Sequence, residues 1–444
     1  MTPSRLPLVA DEAAAVDRVH WRGGFGPAPA DRPRLHADDL EASIRGLLAP
    51  RGAGTLLGPP PVVSGTAGSG PLQPLDRWGH DQLWWLDRMV RTDAPLVERM
   101  TLNLHDHFAT SNDKVGNARL MLRQNRLLRR HALGNFGALT RKLLRDGAMQ
   151  LWLDLPGSHR DSPNENFARE LMELFTLGSG YRERDVREAA RALTGFTYDW
   201  GRKRFGWDER RHDPGRKRIF GQQGRFRPDD VVRLCLAHRA HAPFLCTKVW
   251  SWFAPGPPPR ATLRELVRVY RASGGELRPV VGAVLRSPAL YANLDEPDMV
   301  KSPVVFLVGA LRATGTPITV DSWVWLLEGM GQSLFNPPNV GGWPVGEHWL
   351  STATVKARFG AVSYVLRAHE FPDDAVPQSE TAEVAMADAS AFAGAPWTSS
   401  ATRSALLDYA RGVVPRGPSD RHASAERRRV LRHLLLAGPD AQVH

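Results

Sequence analysis

Residues 162–178 read SPNENFARELMELFTLG and set three carboxylates, two asparagines and one arginine in a single helical stretch. At 100° per residue Phe167, Ala168, Leu171, Met172, Leu174 and Phe175 take one side of that helix, and Glu165, Asn166, Arg169, Glu170 and Glu173 take the other. Carboxylates beside an arginine suit general acid–base chemistry on an anionic substrate. The plain alternative is a solvated face. Glu165 and Glu173 each stand four residues from Arg169, the spacing of intrahelical ion pairs worth about 0.2–0.5 kcal/mol each. Glu170 has no arginine four residues away and is therefore the carboxylate freest to act as general base, with Glu165 and His107 as further catalytic candidates. Asn164, Asn166 and Arg169 would hold the substrate. Glu165 also has a structural use, because Ser162 as N-cap, Pro163 at the first helical position and Glu165 spell a capping box.

A second polar cluster is LNLHDHFATS, residues 102–111. Apolar periodicity from Leu96 through Met100 and Leu104 to Phe108 predicts a helix, on which His105 and His107 point about 200° apart. They cannot chelate one metal there, and the four-residue spacing of a zinc helix is absent from the chain. His107 falls on the apolar side and His105 away from it, so His107 is either a core histidine or a catalytic one. Whether any metal or cofactor is bound stays open.

Basic residues form two further groups. From Lys114 to Arg145 there are nine and no Asp or Glu, with Arg119, Arg123, Arg126, Arg129 and Arg130 stacked on one helical face. Like charges so close repel, so this face calls for an acidic partner. That partner is either internal, the glutamates of 162–178 or Asp185 and Glu188, or an external phosphate, sulfate or carboxylate held by Arg129 and Arg130. Residues 202–227 interleave ten basic residues with Phe205, Trp207, Phe220 and Phe226. That pattern suits single-stranded nucleic acid or a sugar-phosphate polymer, or else a basic loop draped over acidic helices. His212 and Asp213 could orient one another, and with Lys217 they complete the substrate-binding candidates. Trp343 and Trp349 flank the stiff PPNVGGWPVGEHW loop, where rings either stack on a ligand or pin the loop to the core.

The elements that must position these groups are helical. Residues 1–75 read as N-terminal helices with a flexible Gly/Pro loop, 76–200 as a helical core with stops at Gly134, Gly147, Gly178 and Gly195, and 201–228 as the basic aromatic loop. A second helical part covers 229–371, a linker or surface excursion 372–403, and C-terminal helices 404–444. No strand pattern emerges. The expected class is all-α, a large irregular multi-helix bundle with long ordered loops and little or no sheet. LRSPALYAN at 285–293 and LLAGPDAQ at 435–442 echo each other as two similarly built helix ends.

Composition sets the outer bounds. Hydrophobic residues at 42% and charged residues at 24% are those of a folded globular chain. The net charge of +11 is carried almost wholly by arginine and points to anionic partners. No apolar run is long enough to span a bilayer. The N-terminal MTPSRLPLVADEAAAVDRVH has Asp11, Glu12 and Asp17 where a secretory signal would have its apolar core, so the expected location is cytoplasmic. Cys235 and Cys246 have no metal spacing and read as reduced, buried thiols.

RRHALGNF (129–136), PNENFARELMELFTLG (163–178), DVREAARALTG (185–195), HDPGRK (212–217), KSPVVF (301–306) and FNPPNVGGWP (335–344) occur in that order. Together they resemble the bacterial family catalogued as domain of unknown function 1800, from about His20 to Gln442. The resemblance implies an all-helical fold and carries no established reaction. It also implies that many members are exported and encoded beside an alkaline-phosphatase-like partner, domain of unknown function 1501. HRAHAP at 238–243 departs from the compact His-Pro-Ala turn of relatives. Three functions follow as expectations. The first is hydrolysis of an anionic or sugar-containing polymer in a His/Glu/Arg cleft where residues 107, 119–130, 164–173 and 212–217 converge. The second is a non-catalytic accessory or binding role with the phosphatase-like partner, and the third is nucleic-acid binding through 202–227.

Overall fold

The computed structural model describes residues 11–50, 52–65, 68–199, 201–202, 204–377, 380–413 and 421–444. The first ten residues, on which much of the N-terminal reading turns, and Lys203 of the basic stretch lie outside them. The described residues form 21 α-helices and three two-stranded antiparallel ribbons, so the chain is all-α as its periodicity indicates. No helix among them is long and apolar enough to cross a membrane.

Two hydrophobic cores organise the helices. The first gathers Val19, Ile44, Phe136, Phe175, Leu245 and Val281, and the second Trp85, Leu307, Trp323, Phe335, Val362 and Leu431. Pro95–His107 runs between them, with Leu96, Met100 and Leu104 in the first core and Leu102 in the second. Ala118–Arg130 also serves both, through Leu128 on one side and Met121 and Leu122 on the other. Each fully buried aliphatic or aromatic side chain contributes about 1.5–3 kcal/mol, and a helix apolar on both sides holds the two halves together.

Two segments differ from the sequence reading. The basic aromatic stretch 201–228 is not a plain loop, because Phe196–Asp199 pairs with Arg204–Trp207 and Lys217–Ile219 with Gln222–Gly224. Phe220 (φ 49°) and Gly221 (φ 84°) make the second connection. Two consecutive positive φ values are what a tight hairpin turn of the right twist requires. Within the expected linker 372–403, Ala382–Phe392 is a core helix capped by Thr381, with Ala385, Met386 and Ala389 buried against Arg421–Ala437. Alanine-rich composition reads as linker, yet small side chains are also what lets two helices pack closely. Arg428 and Arg432 on Arg421–Ala437 reach Asp388 across that contact at 3.1 and 2.9 Å.

In the N-terminal part the Gly/Pro loop is held at several points. Arg91 donates to the carbonyls of Leu57, Gly58 and Pro59, and Ser64 N donates to Thr319 O. The echoed segments end alike: Leu277–Leu285 runs into a 3₁₀ turn at Pro288–Tyr291, and Arg421–Ala437 into one at Pro439–Gln442.

Candidate functional site

The acidic motif begins two residues later than its capping pattern suggests. The N-cap is Asn164, whose Oδ1 accepts from Asn166 N at 2.9 Å and whose Nδ2 donates to Leu153 O at 2.9 Å. Ser162 instead closes a small bridge with His159, which leaves Pro163 outside the helix. Glu165–Glu170 is α-helical, and Leu171–Leu177 widens to a π-helix. It ends at Gly178, where φ is 72° and a Cβ would meet the Phe244 ring at 2.6 Å, so only glycine fits.

The polar row is mostly self-satisfied. Arg169 donates to both oxygens of Glu183 at 2.6 and 2.8 Å and has Glu165 at 3.8 Å. The expected pair of Arg169 with Glu173 gives way to a Tyr181 hydroxyl donating to Glu173 at 2.9 Å. Asn166 and Glu165 are exposed. Glu170 differs: it is half-buried, and its carboxylate makes no hydrogen bond or ion pair among the described residues. Burial, then Glu173, raises its pKa above the usual carboxylate value, against the opposing pull of Arg169.

The Glu183–Ala192 helix leads from this row to the HDPGRK turn. Arg191 near its end bonds Asp213 at 2.7 Å and Glu188 at 2.9 Å. Lys217, 2% exposed, donates to the carbonyls of Asp213 and Gly215. His212 does not pair with Asp213; its Nδ1 meets Thr194 O at 2.9 Å and its ring lies 5.1 Å from Trp207. The motif is a turn that bonds itself and the helix before it.

The remaining candidates lie elsewhere. Arg129 is buried and donates to Glu98 at 2.6 and 2.9 Å, so its acidic partner is internal but is neither of those its spacing suggested. Glu98 comes from the central Pro95–His107 helix and also accepts from Arg88 and Trp85. Arg130, Arg119, Arg123 and Arg126 are exposed and form no ion pair among the described residues. Arg88, Arg126 and Arg129 crowd the Trp84 ring at 5.4–5.6 Å.

His107 sits in the first core beside Phe108, Phe136, Phe175 and Trp252, with Nε2 3.0 Å from Phe175 O. Burial, with Lys248 adding to it, lowers its pKa to about 3. His105 does not face solvent either; it fills the second core between Trp85, Phe335 and Trp343. The helix is buried on both faces, so a 200° separation carries the two rings into different cores. The candidates therefore occupy separate places: a surface row, a self-bonded turn, an interior ion pair and a core histidine.

The neighbouring Asp106 escaped the spacing argument. Its Oδ1 accepts from Trp343 N at 2.7 Å, and burial pushes its pKa up to about 6, with Lys248 opposing. Gly342 (φ 92°) lets the GGW loop approach, since a Cβ there would lie 2.3 Å from Asp106 Oδ1. Phe335 nearby holds φ 66°, a strained value for a bulky residue. The available signal was a Gly pair beside a tryptophan, which marks close backbone approach. Trp343 and Trp349 are buried and pin this loop.

The rings of 202–227 pack on neighbours to different depths: Phe226 is buried, Phe205 rests on Tyr198 and Phe220 on His238, while Trp207 lies against Phe196 but stays exposed. Arg211 holds Pro156 O, and Arg227 pairs with Glu209. Among the described residues no group of three or more His, Cys, Asp or Glu side chains is placed to hold a metal. Cys235 and Cys246 are free and buried, and burial pushes both thiols up to about 12.

No curated protein and no solved structure matches the chain. The ordered motifs whose geometry is described above are those of one family, and the family described as Protein of unknown function (DUF1800) matches residues 18–443. Nearly the whole chain is covered, and the protein belongs to that family.

Proposed function

We propose that the chain is a non-catalytic binding protein for an anionic polymer, docked on the exposed face of Ala118–Arg130. The observation that carries this reading is the row Arg119, Arg123, Arg126 and Arg130, all exposed and none in an ion pair among the described residues. Spacings of four, three and four keep these guanidiniums on one side over about 16 Å of helix. Their mutual repulsion is a standing cost that a sulfated or phosphorylated chain would relieve. An accessory role beside an alkaline-phosphatase-like partner, implied by the resemblance, is compatible with it.

Heparin affinity across a salt series tests the reading. The intact protein is expected to bind with a log–log salt slope set by the phosphates or sulfates contacted, and replacing all four arginines with serine is expected to abolish binding without lowering the melting temperature. Unchanged affinity in the fourfold variant would sink it. A hydrolase remains the second reading, favoured by one observation, the half-buried and unpaired Glu170 carboxylate.

A further inference from the structure

A cavity of about 310 Å³ opens between the Glu12–Arg22 helix, residues 393–397 and the end of the chain. Trp21 and Trp397 give it aromatic walls, and Lys301 and His444 give it polar ones. Lys301 is 7% exposed; its Nζ donates to Ala441 O at 2.9 Å and lies 4.0 Å from the centre of the Trp21 ring. One bond leaves an ammonium with two further donors. His444 is 5% exposed, and neither of its ring nitrogens has a hydrogen-bond partner. Two orphaned nitrogens on a ring that lines a cavity point to something that would occupy it.

The charge around this wall is one-sided. Arg18, Arg22, Arg99 and Lys301 all act on the His444 ring. Arg99 is buried with a single long bond to Gly24 O and no carboxylate partner among the described residues, while Arg22 shares the partly exposed Asp298. Of the acids that line the cavity, Asp17 is paired with Arg32 and His36, while Asp440 and Asp11 accept from the backbone N–H groups of Ser399 and Ala14. At the rim Ala395 holds φ 48°, and Arg32 binds the carbonyls of Gly394 and Ala395, so the loop bearing Trp397 is fixed in a strained form.

We propose that this cavity binds a small organic carboxylate with a flat apolar body, its acid group at Lys301 and His444 and its body between Trp21 and Trp397. The volume accommodates a compact two-ring acid, and an anion at this wall would neutralise charge that the fold otherwise buries uncompensated. Burial, with Arg358 adding to it, holds the Lys301 pKa at about 7, so an anion that needs the ammonium must bring a proton with it above that pH.

Calorimetric titration of the whole protein with 2-naphthoate, 2-naphthamide and inorganic phosphate tests the assignment. Naphthoate is expected to bind, weakening about tenfold per pH unit above 7 with matching proton uptake. The uncharged amide and phosphate alone are expected not to bind. Lys301→Met should remove naphthoate binding, and Trp397→Ala, at a partly exposed position that spares the fold, should weaken it about tenfold. Equal binding of the amide, binding of phosphate alone, or full naphthoate affinity in folded Trp397→Ala would each overturn the proposal. The cavity lies outside the arginine face, so heparin binding should survive both variants.

Discussion

Arg129 and Glu98 form a two-bond ion pair in the interior, at 2.6 and 2.9 Å, with the arginine 4% and the glutamate 0% exposed. Arg130, the next residue, lies exposed with no such partner. Glu98→Ala strands Arg129 in low dielectric and should cost about 3–5 kcal/mol, whereas Arg129→Ala leaves Glu98 with Arg88 and Trp85 and should cost less, about 1–3 kcal/mol. Arg130→Ala should stay within about 0.5 kcal/mol. Urea unfolding of the three variants checks this, and equal stability of the two arginine variants would contradict the pair.

The buried histidines make the fold acid-sensitive. Burial lowers His105 and His107 to about 3 and His20 and His241 to about 4, against about 6.5 in the unfolded chain. Below pH 6.5 the unfolded chain therefore takes up protons that the fold refuses. Stability is full above that pH and falls on acidification toward 3, by up to about 1.4 kcal/mol per pH unit for each histidine. His105 has no partner at either ring nitrogen. His105→Phe should therefore cost less than about 1.5 kcal/mol at pH 7 and flatten the acid slope. A melting-temperature profile from pH 7 to 4 as steep as that of the parent would refute the assignment.

Helices were legible because their apolar spacing is local, whereas the sharing of one helix between two cores is not. Pro95–His107 shows a single stripe in sequence, and nothing in the residue types says that His105 on the other side meets Trp85 and Phe335. Arg129 and Arg130 are the same residue type 100° apart, so only the position of Glu98 separates interior from surface. Ser162 and Asn164 are both able caps, and the choice between them depends on the bridge from Ser162 to His159. The HDPGRK turn was legible as a unit, but its bonds run to backbone carbonyls and to Arg191, which spacing does not reveal.

Gly342 should be irreplaceable. Its φ of 92° already disfavours any side chain, and the Cβ of alanine would press on Asp106 Oδ1 and the Asp106 carbonyl, at 2.3 and 2.8 Å. Backbone strain of that kind costs on the order of 1–3 kcal/mol before the displaced carboxylate is counted. Gly342→Ala is expected to lose at least that much in chemical denaturation. By contrast Gly360→Ala, in a helix with nothing within 4 Å of the added carbon, should be neutral or stabilising. Equal effects at the two positions would mean that the GGW loop does not sit on Asp106 as described.

Glu170 decides between the two functional readings. Its pKa is raised by burial and by Glu173, so the charged form is disfavoured in the fold, and the fold loses stability as pH rises through the carboxylate range. Glu170→Gln removes that charge while keeping the shape. At pH 7 it should leave stability unchanged or raise it by no more than about 0.5 kcal/mol, since the group is partly solvated and screened. A binding protein that uses the Ala118–Arg130 face has no need of this carboxylate, so heparin affinity and its salt slope should match the parent. A working general base gives a different pattern: an intact or slightly stabilised fold with turnover of a sulfated or phosphorylated sugar polymer abolished. Thermal melts, heparin titration and a turnover screen on parent and variant together separate the cases. Turnover in the parent that disappears in a well-folded Glu170→Gln would replace the binding role with the hydrolase.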